Sequence, residues 1–158
     1  MTTPRSRQGP GTPPLTPAAT SGAARVALEL YAAFNDRTLD RGAAVVAPGQ
    51  EMHVVATGEI HRGPQGYLDY AGNWIAAFPD ARVEIRAVVA DAERCCVEFL
   101  GIGTHDGDFR TPGGTIPATG RSVEIPFCDV WEVRDGLVQR GRAYFDVGTI
   151  MRQLGLLA

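Results

Sequence analysis

The run Ser122-Val123-Glu124-Ile125-Pro126-Phe127-Cys128-Asp129-Val130-Trp131-Glu132-Val133-Arg134 alternates between two sets of side chains. Its odd positions are Val123, Ile125, Phe127, Asp129, Trp131 and Val133, and its even positions carry Ser122, Glu124, Glu132 and Arg134 among Pro126, Cys128 and Val130. A period of two predicts a β-strand over about Arg121 to Arg134 with its odd face turned to an apolar interior. Asp129 is the single charge on that face, between Phe127 and Trp131. An ionised carboxylate there is costly unless hydrogen-bonded, so its pKa rises toward the range a general acid or base needs near neutral pH. A structural Asp held by backbone amides or an arginine is the competing reading, and the pattern leaves both open.

On either side of this strand the chain keeps the same period. Asp135-Gly136 predicts a tight turn into a strand over Leu137 to Phe145, and two more long strands precede, Arg82 to Asp91 and Arg94 to His105. Consecutive antiparallel pairing is the expected outcome. Between them, Asp106 to Gly120 holds four glycines and two prolines, which predicts a long loop. Nearer the amino terminus the period changes to that of helices. From Ser21, an expected N-cap, Ala27, Leu30, Tyr31 and Phe34 recur at helical spacing up to Asn35. A short helix over Leu39 to Val46 is expected to stop at Pro48-Gly49, with a brief strand over Met52 to Ala56. Gly63-Pro64 opens another helix, whose stripe of Tyr67, Tyr70, Ala71, Trp74 and Phe78 ends at Pro79. Asp146 is placed to cap a final helix with Val147, Ile150, Met151 and Leu154 on its apolar face. Helices followed by a meander of strands imply an α+β fold, a cone-shaped curved antiparallel sheet wrapped over N-terminal helices. Residues 1–21 hold five of the eleven prolines among Thr, Gly and Ser and read as a disordered tail, leaving 22–158 as one domain.

Composition removes several kinds of chemistry. All 15 basic residues are arginine, so lysine Schiff bases and covalently held pyridoxal phosphate are excluded. His53, His61 and His105 form no metal-binding motif, and no serine lies in a Gly-x-Ser-x-Gly elbow. Gly101-Ile102-Gly103 has no helix after it, unlike a dinucleotide turn. Cys95, Cys96 and Cys128 give neither a disulfide framework nor zinc spacing and read as small core residues. With a net charge of -3, scattered arginines, and no apolar run long enough for a membrane helix or signal peptide, neither nucleic acid nor membrane is an expected partner. The expectation is a cytoplasmic protein without cofactor or metal.

What remains is chemistry by carboxylate, imidazole, amide and phenol groups. His105 falls in register with Phe99, Gly101 and Gly103, and the two glycines leave room above the sheet for a ligand. The alternative is a solvated histidine at a strand end. Asn35 could donate its amide to the same cavity, although Asn is also favoured at helix termini. Tyr67, Trp74, Phe78 and Trp131 suit either a plain core or the walls of a pocket for a flat ligand. Asp146 reads as a cap, and His53 and His61 as surface or rim residues.

Several of these stretches resemble a known family. Tyr31-Ala32-Ala33-Phe34-Asn35, Trp74-Ile75-Ala76-Ala77-Phe78-Pro79-Asp80, Gly103-Thr104-His105-Asp106-Gly107, Pro117-Ala118-Thr119-Gly120-Arg121, Phe127-Cys128-Asp129-Val130-Trp131 and Tyr144-Phe145-Asp146 are similar to the SnoaL-like polyketide cyclases. The resemblance spans roughly residues 23 to 157. It implies a cone like that of nuclear transport factor 2, a homodimer or higher homo-oligomer, and a cavity for a small hydrophobic, aromatic substrate. It further implies that Asp129 is the acid/base of an intramolecular aldol closure, assisted by His105 and Asn35. The expected substrate contacts are Tyr31, Phe34, Trp74, Phe78, Phe127, Trp131 and Tyr144. Alternatives on the same fold are a hydrolase using Arg142 and Asp146, a hydroxylase component, an isomerase, and a binding protein without turnover.

Overall fold

In the computed structural model, which describes residues 21–157, Ser21 caps α1 (Gly22–Asn35) by accepting a 3.1 Å hydrogen bond from the Ala24 amide. The proline-rich stretch expected to form a tail lies outside the described residues, apart from Ser21 itself. After α1 come α2 (Leu39–Ala43), β1 (Val46–Val54), β2 (Glu59–Arg62) and α3 (Gly63–Ala77). The long strands β3 (Arg82–Ala90), β4 (Arg94–Thr104), β7 (Ser122–Arg134) and β8 (Leu137–Phe145) follow, with the short β5 (Phe109–Thr111) and β6 (Gly114–Ile116) between β4 and β7. Finally α4 (Val147–Gln153) is capped by Asp146, which accepts from the amides of Gly148 and Thr149 at 2.9 and 3.0 Å.

The main sheet has the order β2-β1-β8-β7-β4-β3. The four long strands pair antiparallel in sequence, as their alternation predicts, and Asp135-Gly136 closes the β7–β8 hairpin with both residues at positive φ. That backbone twist matches the twist of the strands it joins. Register shifts interrupt β3 between Ile85 and Ala87 and β7 between Glu132 and Val133. Such bulges bend a sheet. Its concave face receives α1 and α3, and the core is the interior of this cone: Ala27, Leu30 and Tyr31 against Val97, Phe99, Ile125, Phe127 and Trp131.

The structure departs from the expected elements at four places. Pro48-Gly49 does not stop a helix; α2 ends at Ala43 and β1 already begins at Val46, with a register shift between Val46 and Glu51 that leaves Pro48 and Gly49 exposed. A proline at a bulge removes no ladder hydrogen bond, so the strand passes through it. Strand β2 was not visible in the sequence because four residues carry too little period, and its partner β1 pairs parallel, not antiparallel, with β8. The expected loop over Asp106 to Gly120 contains the β5–β6 hairpin, which lays Phe109 against Trp74 at 4.8 Å between ring centroids. Of the cysteines only Cys95 is core; Cys96 and Cys128 lie half-buried on the outer sheet face with their sulfurs 3.3 Å apart. No helix among the described residues is long and apolar enough to cross a membrane.

Candidate active site

Between the concave face and the two long helices lies a cavity with about 760 Å³ of empty space, counted out to its mouth. Its concave, mostly apolar and aromatic lining is of the kind that small-molecule sites present. Leu30, Tyr31 and Phe34 line it from α1, Tyr67, Tyr70 and Trp74 from α3 with Phe78 just beyond, and Phe99, Val123, Ile125, Phe127 and Trp131 from the sheet. The aromatic rings brace one another: Phe99 stacks on Phe127 at 4.9 Å, and Trp74 stands edge-on to Phe127 at 5.7 Å. Asp129 and Arg82 are the charged residues among the lining.

Asp129 is 4% exposed, and its cross-strand neighbours are the apolar Val97 and Ala143. Its partner comes from α1. The Tyr31 hydroxyl donates to Oδ2 of Asp129 at 2.8 Å, while Trp131 Nε1 donates to the Tyr31 oxygen at 2.7 Å. An indole N–H can only donate, so the single phenol hydrogen is directed at the carboxylate. Oδ2 is thereby occupied, and Oδ1 is buried with no hydrogen-bond partner among the described residues. Trp131 is held in this orientation by Gly141 on β8, where any Cβ would lie 2.4 Å from the indole ring. Burial pushes the Asp129 carboxyl up to about 7, with the Tyr31 hydrogen bond pulling the other way. Tyr31 is itself pushed well above the ordinary phenol value by burial and by Asp129, so it stays a donor.

Of the residues expected at the site, Asp129, Tyr31, Phe34, Trp74, Phe78, Phe127 and Trp131 all meet at this cavity. Three do not. Both polar atoms of Asn35 are taken by Val83: its amide nitrogen donates to the Val83 carbonyl at 3.0 Å and its oxygen accepts from the Val83 amide at 2.8 Å. Asn35 therefore clamps the end of α1 to β3. His105 lies one residue past β4, whose last residue Thr104 pairs with Ser122, seven positions from Asp129. That is about 23 Å of strand path, too far for a direct contact. Its Nδ1 sits 3.0 Å from the Thr119 hydroxyl and its ring packs on Phe78 at 5.1 Å, with burial holding its pKa below the ordinary value. Tyr144 pairs with Cys128 on the outer face and is 41% exposed. The residue facing the cone is Phe145, opposite Phe127.

Other expectations resolve locally. His53 pairs with Glu51 at 3.1 Å, and His61 packs on Tyr70 with ring centroids 5.1 Å apart. Arg142 pairs with Glu132 at 3.2 Å on the outer face, and Asp146 serves as the α4 cap, so the two do not converge on the cavity. Met52 and Phe99 line the cavity without being among the expected contacts, and Tyr70 lines it as a member of the aromatic α3 stripe.

The fold is an α+β cone whose apolar cavity holds one buried carboxyl of raised pKa, and the comparisons specify its family. The family profile of the SnoaL-like polyketide cyclases matches residues 24–154, and the chain belongs to that family. No curated protein matches the sequence. Among solved structures, a proposed SnoaL-like polyketide cyclase from Jannaschia sp. CCS1 superposes with a TM-score of 0.76 at 20% identity, covering 90% of this chain and 97% of that one. IdmH, a proposed polyketide cyclase from Streptomyces antibioticus, gives 0.71 at 26% identity over 84% of this chain and 98% of its own. AclR, a proposed hydroxylase from Streptomyces galilaeus, gives 0.72 at 21% identity over 85% of each chain.

Proposed function

We propose that the protein is a polyketide cyclase that closes a ring in an aromatic polyketide or related secondary metabolite by cofactor-free acid/base catalysis. The observation that carries this reading is the state of Asp129: a buried carboxyl with pKa about 7, one oxygen fixed by Tyr31 and the other unsatisfied at the wall of an aromatic cavity. In an intramolecular aldol closure, a base removes a proton next to a carbonyl. The resulting enolate attacks a second carbonyl carbon, and the new alkoxide takes up a proton. A group titrating near 7 can do both, ionised for the first step and protonated for the last. The rings of Phe99, Phe127 and Trp74 suit a flat conjugated substrate, which also delocalises the enolate.

Family membership supports the cyclase reading over the other activities this fold can host. A hydrolase that uses Arg142 and Asp146 to activate water is disfavoured, because those two residues are engaged elsewhere. The test is turnover of aromatic polyketide esters by wild type and Asp129→Asn, after a thermal-shift screen for binding; ligand at 100 times its Kd adds about 2.7 kcal/mol. Asp129→Asn is expected to lower turnover by at least about 10²-fold to 10⁴-fold with the fold kept. An unchanged rate would make the carboxylate structural and remove the basis of the reading.

A further inference from the structure

Of the three tyrosines that line the cavity, one has a hydroxyl that the hydrogen-bond pattern of the site does not use. Tyr70 lines the cavity from α3, and its hydroxyl makes no hydrogen bond of full geometry among the described residues. Two other lining tyrosines are committed: Tyr31 donates to Asp129, and Tyr67 donates to the Leu30 carbonyl at 3.0 Å. Trp74 stands edge-on to Tyr70 with ring centroids 6.4 Å apart, and its indole N–H favours negative charge on the phenol oxygen without closing a full hydrogen bond. As at Tyr31, the neighbouring indole can only donate, so the Tyr70 hydrogen is free to point elsewhere. His61 packs tilted against the ring with centroids 5.1 Å apart. Burial, and next the charge of Asp129, push Tyr70 well above the ordinary phenol value, which keeps it a neutral donor at any working pH.

We infer that Tyr70 is a further catalytic residue, donating its O–H to the substrate carbonyl oxygen on which charge develops when Asp129 removes the neighbouring proton. The inference rests on the carbonyl chemistry proposed above and adds the group that stabilises the oxyanion. The C–H electron pair becomes the C=C bond of the enolate, and the carbonyl π pair moves onto oxygen, where the Tyr70 hydrogen bond strengthens. The proton resides on Asp129 until the alkoxide formed by ring closure takes it back. Tyr70 is never ionised, so atoms and charge balance without it.

The phenol 2-naphthol is a flat stand-in for an enol, and naphthalene has the same ring system without the oxygen. Titration of both by tryptophan fluorescence against wild type, Tyr70→Phe and the surface control Tyr144→Phe isolates the hydrogen bond. Tyr70→Phe is expected to bind 2-naphthol about 10-fold more weakly and naphthalene equally well, the fold-change of one lost hydrogen bond, with Tyr144→Phe unchanged. If 2-naphthol binds wild type and Tyr70→Phe equally, Tyr70 is only a wall residue, while the aromatic-ligand reading stands. If both compounds weaken together, Tyr70 supports the shape of the cavity and is not a donor. Failure of either compound to bind wild type overturns the aromatic-ligand reading and this inference with it.

Discussion

Tyr31 and Asp129, 98 residues apart in sequence, are joined by a 2.8 Å hydrogen bond whose direction is dictated by a third residue, Trp131. Because the indole must donate, the phenol must donate onward, and Asp129 is left with one satisfied and one unsatisfied oxygen. Replacing Tyr31 by Phe removes the interaction that lowers the Asp129 pKa and strands the buried Trp131 N–H. The expected result is a pH–rate midpoint moved upward, together with a stability loss of about 1–3 kcal/mol from the unsatisfied donor. A pH–rate profile and chemical denaturation of Tyr31→Phe measure both; a downward shift would mean the phenol does not hydrogen-bond the ionised carboxylate.

The raised pKa of Asp129 also makes stability depend on pH. In the unfolded chain this carboxyl ionises near 3.9, whereas in the fold it keeps its proton until about 7, so between those values the native state binds more protons. Its contribution is therefore favourable below pH 4 and is lost as pH rises to about 7. The full window of about 3 units corresponds to on the order of 4 kcal/mol. Asp129→Asn cannot ionise, so its stability relative to wild type is expected to rise by about 2–4 kcal/mol between pH 4.5 and pH 8. Urea denaturation at the two pH values decides this, and an equal difference at both would contradict a buried, proton-holding carboxyl.

Asn35 and His105 are expected to behave as supports. Asn35→Ala loses two hydrogen bonds to Val83, a cost of about 1–2 kcal/mol, and His105→Ala leaves a gap beside Phe78. Neither replacement is expected to move the midpoint of the pH–rate profile. A shifted midpoint in His105→Ala would mean that the imidazole reaches the proton-transfer chain.

The difference between what could be read in the sequence and what could not follows the range of the interactions. Alternation in β7 isolated Asp129 because faces repeat every two residues within one strand. Its hydrogen-bond donor could not be found that way, since α1 and β7 meet only in the folded cone; Tyr31 stood out as a wall residue, not as the partner. For Tyr144 the signal was present: Arg140 and Arg142 share its parity on β8 and mark the outer face, which places Phe145 inside. His105 shares a face with Phe99 by parity, but parity says nothing of the distance along β4 that separates it from Asp129. Pro48-Gly49 resembles a helix stop because a bulged strand and a chain turn draw on the same residues.

The outer sheet face carries Val130, Cys128 and the exposed Tyr144 among charged residues. An uncovered face of this kind is expected to pair with a second copy, giving a homodimer. Sedimentation velocity at micromolar concentration checks it, with Val130→Arg expected to shift the population to monomer. A wild type that sediments only as monomer would contradict the pairing.

The protonation of Asp129 itself can be read without knowing the substrate, by following its side-chain carboxyl carbon in ¹³C NMR as pH is raised, with Asp129→Asn assigning the signal. The expected midpoint is about 7, far above the ordinary aspartate range, with no second carboxyl signal titrating there once Asp129 is replaced. A midpoint near 4 would show a carboxylate ionised throughout the working range and unable to act as both base and acid, contradicting the mechanism at its centre.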